Sequence, residues 1–151
     1  MWLSIKFSIK NLIKIIDKHI SELRFQVFGK QKPKIFCIGQ NKTCTTSLKM
    51  TLVNFGFKVG NQVQAEMLLP DYKDQNWKKI LDYCSSAEAF QDVPFSLPGT
   101  WRLLYSQFPK AKFILTVRPS DSWYRSITSF HSKKFGKDVL TDPVYLTNVH
   151  Y

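Results

Sequence analysis

The chain has 151 residues, a length that suits one domain and is enough to bury a core without disulfide or metal support. Apolar residues make up 44% of it, and 12 Phe, 6 Tyr and 4 Trp supply large side chains for that core, which excludes global disorder. Cys37, Cys44 and Cys84 show no CxxC spacing, which argues against a disulfide scaffold or a zinc ribbon and favours a reducing, cytoplasmic environment.

Positive charge is concentrated in two parts of the sequence, within a formal net charge of +11. Residues 1–34 contain eight basic and two acidic side chains, residues 35–100 contain six of each, and residues 101–138 again contain eight and two. A basic protein attracts anions, but charge alone does not distinguish a nucleotide from a nucleic acid or a lipid surface.

Residues 1–33 are predicted to form a basic amphipathic helix followed by a linker. Lys6, Lys10, Lys14 and Lys18 recur every four residues and form one polar stripe, with apolar residues largely on the other side. These lysines interrupt every apolar run of about 18 residues, which excludes a membrane-spanning helix. Two interpretations stay open: residues 1–20 lie in a membrane interface as a peripheral helix, or the helix covers one flank of the domain.

From residue 34 onward, strand patterns alternate with helix patterns. Short apolar runs predict buried strands, and apolar residues at intervals of three and four predict helices. This alternation predicts a three-layer α/β domain over residues 34–151, with a parallel sheet between flanking helices. The predicted elements are strand 34–39, loop 40–47, helix 48–55, helix 74–84, a strand from Glu88 to Asp92, helix 101–108, strand 112–117 and a helix beginning at Ser120 or Asp121.

The first loop has the composition of a phosphate- or sulfate-binding loop. It runs from Gly39 to Ser47 between a strand and a helix, so unpaired amides and the positive end of the helix dipole face the ligand side. Lys42 adds a full positive charge, and Thr45, Thr46 and Ser47 add hydroxyl groups. The loop is not a Walker A motif, because its lysine precedes the small residues instead of following a second glycine.

A second cation follows another strand. Arg118 comes directly after strand 112–117, and Ser126 follows eight residues later within the next helix. Because ligands of parallel α/β sheets bind beyond the carboxyl ends of the strands, both clusters are predicted to lie at the same edge.

These segments together resemble the sulfotransferase superfamily, which uses 3′-phosphoadenosine 5′-phosphosulfate (PAPS) as sulfuryl donor. The family motif K-[ST]-G-T-T resembles residues 42–46, and its Arg and Ser separated by eight residues resemble Arg118 and Ser126. The connecting pattern D-x-P, F-P-x-A-K-F-I-L-T-V-R and W-Y-x-S resembles the segment from Asp92 to Ser126. The resemblance covers about residues 34–130 and implies the P-loop-type sulfotransferase fold, with transfer of a sulfuryl group from PAPS to a hydroxyl or amine of a small-molecule or glycan acceptor.

The resemblance also implies roles for individual residues. Arg118 and Ser126 would hold the 3′-phosphate of PAPS, and Lys42 would stabilise the charge that develops on the bridging and leaving oxygens. Asp92 would be the general base, at a place where cytosolic family members have histidine; a helix cap or a partner for a cation is the alternative. No metal is implied. The 5′-phosphosulfate would be held by the loop residues Lys42, Thr43, Cys44, Thr45, Thr46 and Ser47.

The chain departs from the family in two places. Cys44 stands where the family has glycine, so a positive φ there would strain the backbone. Family members continue well past residue 151, which implies a domain that is incomplete at its C-terminus. Either the chain is short or a fragment, or an oligomer or partner chain supplies the rest.

Several other interpretations stay open. A P-loop kinase or nucleotide hydrolase would use Asp92 to hold Mg²⁺, and an inactive homologue would act as a basic binding module without a specific nucleic-acid partner. His131 is predicted to be a surface or packing residue. Trp123 and Phe130 are predicted to lie in the core rather than to stack on adenine. Arg125 and Lys133 are predicted to belong to a solvated basic face.

Overall fold

The computed structural model of the chain describes residues 2–25, 27 and 32–136. Most of the predicted linker, and the predicted domain from residue 137 onward, lie outside the described residues.

A parallel three-stranded sheet forms the centre of the domain. Its strands are β1 (Ile35–Cys37), β2 (Ala89–Gln91) and β3 (Lys112–Ile114), in the order β2-β1-β3. Phe36 of β1 lies opposite Phe90 of β2 and Phe113 of β3. The strands are shorter than the sequence predicts. Ile38 N donates the last bond to Ile114 O before the chain turns at Gly39, so the apolar residues after Ile114 have no ladder partner on β1.

Within the described residues, seven α-helices connect and flank the strands. The first, α1, is longer than predicted, and α2 begins three residues earlier than predicted. Two five-residue helices, α3 and α4, were not predicted, because five residues are too few to show a 3.6-residue period. The helices are α1 (Trp2–Arg24), α2 (Thr45–Asn54), α3 (Gln62–Glu66), α4 (Leu69–Lys73), α5 (Trp77–Tyr83), α6 (Thr100–Gln107) and α7 (Ser120–Phe135).

Both faces of the sheet are buried. On one face, Phe36 lies at the centre of an aromatic cluster, and its ring centroid is 5.5–5.8 Å from those of four other phenylalanines. Ile80 of α5 and Leu104 of α6 complete that side, and Leu52 of α2 packs on the other face. Helices on both faces confirm the predicted three-layer α/β architecture.

Exposed apolar side chains include those that follow β3 and those along α1. β3 is an edge strand of the sheet that the described residues form, and Leu115 and Val117 beyond it are exposed. The oligomer or partner chain inferred from the sequence stays a prediction. In α1, all side chains from residue 11 to residue 20 are exposed, so this stretch does not cover a flank of the domain. No helix among the described residues is long and apolar enough to cross a membrane.

Candidate functional site

The loop between β1 and α2 is shaped by backbone in the left-handed region. Lys42 has φ 67° and Cys44, the residue before α2, has φ 72°. The first bond of the helix runs from Leu48 N to Cys44 O at 3.0 Å. The amides of Thr45, Thr46 and Ser47 therefore have no intrahelical acceptor, which is the arrangement that receives anions at a helix N-terminus.

The loop is fixed against the segment that follows β3. Gly39 approaches Thr116 so closely that a Cβ would lie 2.6 Å from the Thr116 carbonyl oxygen, which only glycine avoids. The buried Thr43 hydroxyl donates to Gln40 O and lies 2.7 Å from Thr116 Oγ1. The Thr43 hydroxyl therefore stabilises the loop through contacts within the protein.

The other predicted hydroxyl groups face different surroundings. Thr45 is buried, and its Oγ1 lies 3.5 Å from Asp92 Oδ2. Thr46 and Ser47 are exposed at the start of α2. Of the four loop hydroxyls predicted to bind the phosphosulfate, those of Thr46 and Ser47 are therefore open to solvent.

Arg118 joins the two clusters that the sequence places at one edge. Its Nη1 donates to Lys42 O at 3.2 Å, and its Nε donates to Ser122 Oγ at 3.2 Å. Ser126 is half-buried one helical turn after Ser122, on the same face of α7. Ser122 was missed in the sequence, although its place four residues after Arg118 would have indicated it.

Helix α7 also contacts the loop through two aromatic residues. Trp123 Nε1 donates to Asn41 O at 2.8 Å, and Lys42 Nζ lies 4.4 Å from the centroid of the Phe130 ring. The prediction that both aromatics lie in the core is wrong: Trp123 is half-buried and Phe130 is 37% exposed. Their side of α7 packs toward the loop. Ile127, which lies between them on that side, is the buried residue of the three.

His131 and the neighbouring basic residues lie further along α7. His131 is buried, which fits a packing role, and this burial lowers the pKa of its imidazole. Arg125 and Lys133 are exposed, as predicted for a solvated basic face.

Two adjoining clefts open beside the loop. The first has a volume of about 360 Å³, and Thr43, Arg118 and Trp123 are among its lining residues. The second, of about 390 Å³, has a more apolar wall that includes Phe95 and Trp101. The residues that line both clefts are Ile38, Gln40, Ser96 and Leu115.

Asp92 lies at the end of β2, on the α2 side of the same edge, and lines neither of these clefts. It has φ 59°, and its Oδ1 accepts a bond from Val93 N at 3.0 Å. Burial, helped by the charge of Glu66, raises the pKa of the Asp92 carboxyl, although the bonds from Val93 and Thr45 and the charge of Lys42 oppose this. The carboxylate is therefore a stronger base than an ordinary aspartate.

No group of three His, Cys, Asp or Glu side chains within the described ranges is placed to hold a metal ion.

The sequence profile of the sulfotransferase domain family matches residues 34–147. The chain belongs to this family. The match begins just before β1 and includes both the Lys42 loop and Arg118, while α1 precedes it. Comparison with individual curated proteins gives no significant match.

The left-handed backbone at Cys44 predicts a gain in stability for glycine in this sulfotransferase domain. Cys44→Gly removes a Cβ from a conformation that costs an L-residue about 1–2 kcal/mol, partly offset by the entropy of glycine, so the free energy of unfolding should rise by about 1 kcal/mol. Cys44→Ala keeps the Cβ and is the matched control. Urea unfolding measures both, and an equal effect of the two variants would contradict the backbone explanation.

The raised pKa of Asp92 predicts a pH-dependent gain for Asp92→Asn. Below the unfolded pKa of about 3.9 the carboxyl is protonated in both states. Above the raised folded pKa it is charged in both states, and only the native state keeps that charge partly buried. The variant should therefore be more stable than the wild type at pH 7.5, and this gain should shrink at pH 4. Urea unfolding at the two pH values tests this; a gain that does not change with pH would contradict it.

Proposed function

We propose that this member of the sulfotransferase family uses PAPS as donor and transfers its sulfuryl group to a hydroxyl or amine acceptor. The observation that carries the proposal is the bond from Arg118 Nη1 to the backbone of Lys42, which joins the two cationic clusters at one sheet edge. An anion with two separate charged ends, as PAPS has, requires such a pair of sites.

The loop fits the 5′-phosphosulfate end of the donor. The first-turn amides of α2 have no intrahelical acceptor, and the hydroxyls of Thr46 and Ser47 are exposed beside them. Thr43 contributes by fixing the loop rather than by its hydroxyl, because that group already bonds to Gln40 and contacts Thr116.

Arg118 and the serines of α7 fit the 3′-phosphate end. The bonds described for Arg118 use Nε and Nη1 and hold the guanidinium between the loop and α7. A planar guanidinium held in this way binds phosphate oxygens through paired donors. Ser126, one turn beyond Ser122, supplies a hydroxyl on the same face.

Lys42 is proposed to stabilise negative charge during transfer. PAPS would supply an activated sulfuryl group, and sulfuryl transfer, like phosphoryl transfer, depends mainly on positioning and on compensation of charge on the leaving oxygens. The Phe130 ring, 4.4 Å from the ammonium, keeps this flexible side chain close to the loop.

Asp92 is proposed to accept the proton of the acceptor group. Its raised pKa makes the carboxylate more basic, which favours proton abstraction near neutral pH. Its contact with Thr45 at the start of α2 places it on the sheet edge that carries the loop, although on the side away from the two clefts. The acceptor would therefore approach Asp92 from the α2 side.

Titration with 3′-phosphoadenosine 5′-phosphate tests the donor site. Lys42→Ala and Arg118→Ala should each weaken binding about 10- to 100-fold, because a hydrogen bond to a charged group contributes about 1.5–3 kcal/mol. Lys110→Ala removes the same charge from an exposed turn before β3, at the other end of the sheet, and should leave binding unchanged. Absence of binding by the unmodified chain, or preference for Mg²⁺–ATP, would overturn the proposed donor.

Asp92→Asn separates the base from the donor site. The variant should bind 3′-phosphoadenosine 5′-phosphate within about twofold of the wild type and lose transfer by at least about 100-fold, as expected for removal of a general base. Transfer is measured with PAPS and a panel of phenolic, aliphatic, amine and sugar acceptors. Unchanged turnover in the variant would exclude Asp92 as the base, and nucleotide binding without turnover of any acceptor by the wild type would indicate an inactive binding module.

A further inference from the structure

Helix α1 presents an apolar face that the folded domain does not cover. Seven of its described apolar side chains are between 48% and 61% exposed, and all but Ile15 belong to this face. At about 100° per residue these six fall within one arc of about 100° on the helix surface. Lys14 and Lys18 are also exposed and lie on the opposite side. The six residues, called the apolar arc below, are Ile9, Leu12, Ile13, Ile16, Ile20 and Leu23.

The attachment of α1 to the domain lies just after its last turn. Phe25 is 5% exposed, and its ring centroid is 4.4 Å from Lys58 Nζ and 5.5 Å from Lys34 Nζ. Lys34 directly precedes β1, and the backbone of Lys58 bonds to Glu88, which directly precedes β2. The helix is therefore attached at the amino ends of the strands, whereas the candidate site lies at their carboxyl ends.

We propose that α1 docks on an anionic lipid surface, with the apolar arc in the interface and the lysines toward the headgroups. The width of the arc and the opposing basic stripe are the properties of helices that lie in the plane of a membrane interface. Helix α1 itself contains five basic and two acidic residues, and this excess of positive charge complements acidic lipids.

A second copy of the chain fits the arc less well. Pairing two α1 helices would bring together two segments that are each strongly positive, which opposes association. Ile9, Ile13, Ile16, Ile20 and Leu23 alternate at intervals of four and three, as in a coiled-coil seam, so a pair of α1 helices is the competing occupant that sedimentation distinguishes.

Docking through α1 leaves the carboxyl edge of the sheet accessible, because the attachment is at the opposite edge. This inference does not depend on the proposed sulfuryl transfer. Lipid binding and nucleotide binding are predicted to be independent of each other, and each is measured without the other.

Flotation of the full chain with vesicles tests the proposal. Binding should be at least about tenfold stronger to phosphatidylcholine mixed with phosphatidylserine than to phosphatidylcholine alone, and it should fall as salt rises. The double change Lys14→Gln and Lys18→Gln should weaken binding to the mixed vesicles about 10- to 30-fold, since each basic residue near such a surface contributes about fivefold.

Two neighbouring isoleucines provide a matched pair of variants. Ile16→Glu introduces a charge into the apolar arc, whereas Ile15→Glu introduces the same charge at an equally exposed position outside it. Ile16→Glu should abolish flotation, and Ile15→Glu should reduce it severalfold at most. Three results would overturn the proposal. The first is equal loss of flotation in both variants, and the second is equal binding of the wild type to neutral and acidic vesicles. The third is a wild type that binds no lipid but forms a dimer in sedimentation, which Ile16→Glu dissociates.

Discussion

Parallel pairing of three short strands is the constraint on which the candidate site depends. Because β1 lies between β2 and β3 and all three run in one direction, the residues that follow each strand meet at one edge. Lys42, Asp92 and Arg118 come from three separate segments of sequence and meet there for this reason. The aromatic cluster around Phe36 keeps the strands in register and thereby fixes the spacing of the three groups.

The backbone at this edge is held away from its preferred conformations. Lys42, Cys44 and Asp92 all have φ between 59° and 72°, a region that disfavours side chains with a Cβ. Non-glycine residues in such conformations persist only where surrounding contacts hold them, and they cluster at functional sites. Here the contacts of Thr43 with Thr116 and of Arg118 with Lys42 hold the loop. At Cys44 the side chain adds strain that glycine would avoid.

Two pairs of cations lie at opposite ends of the sheet in this sulfotransferase domain. Lys42 and Arg118 belong to the carboxyl edge of the sheet, while Lys34 and Lys58 surround Phe25 at the amino edge. The first pair is proposed to bind a nucleotide that has two charged ends. The second pair connects the domain to α1, whose exposed apolar arc requires some other covering. The proposed donor nucleotide and the proposed lipid surface would thereby occupy opposite ends of one small domain.

The sequence by itself determined the fold class, the order of the main elements and the sulfotransferase family, because strand and helix periodicities are local and the motifs are contiguous. It also predicted that the segments carrying Lys42 and Arg118 meet at one edge, since parallel strands impose this. Only the tertiary structure decided which groups face a ligand: it turned Thr43 inward, moved Trp123 and Phe130 from the predicted core to the loop, and brought Ser122 to Arg118. These outcomes depend on how α7 rotates against the loop, and that rotation is set by packing between residues far apart in the chain, which no local pattern records.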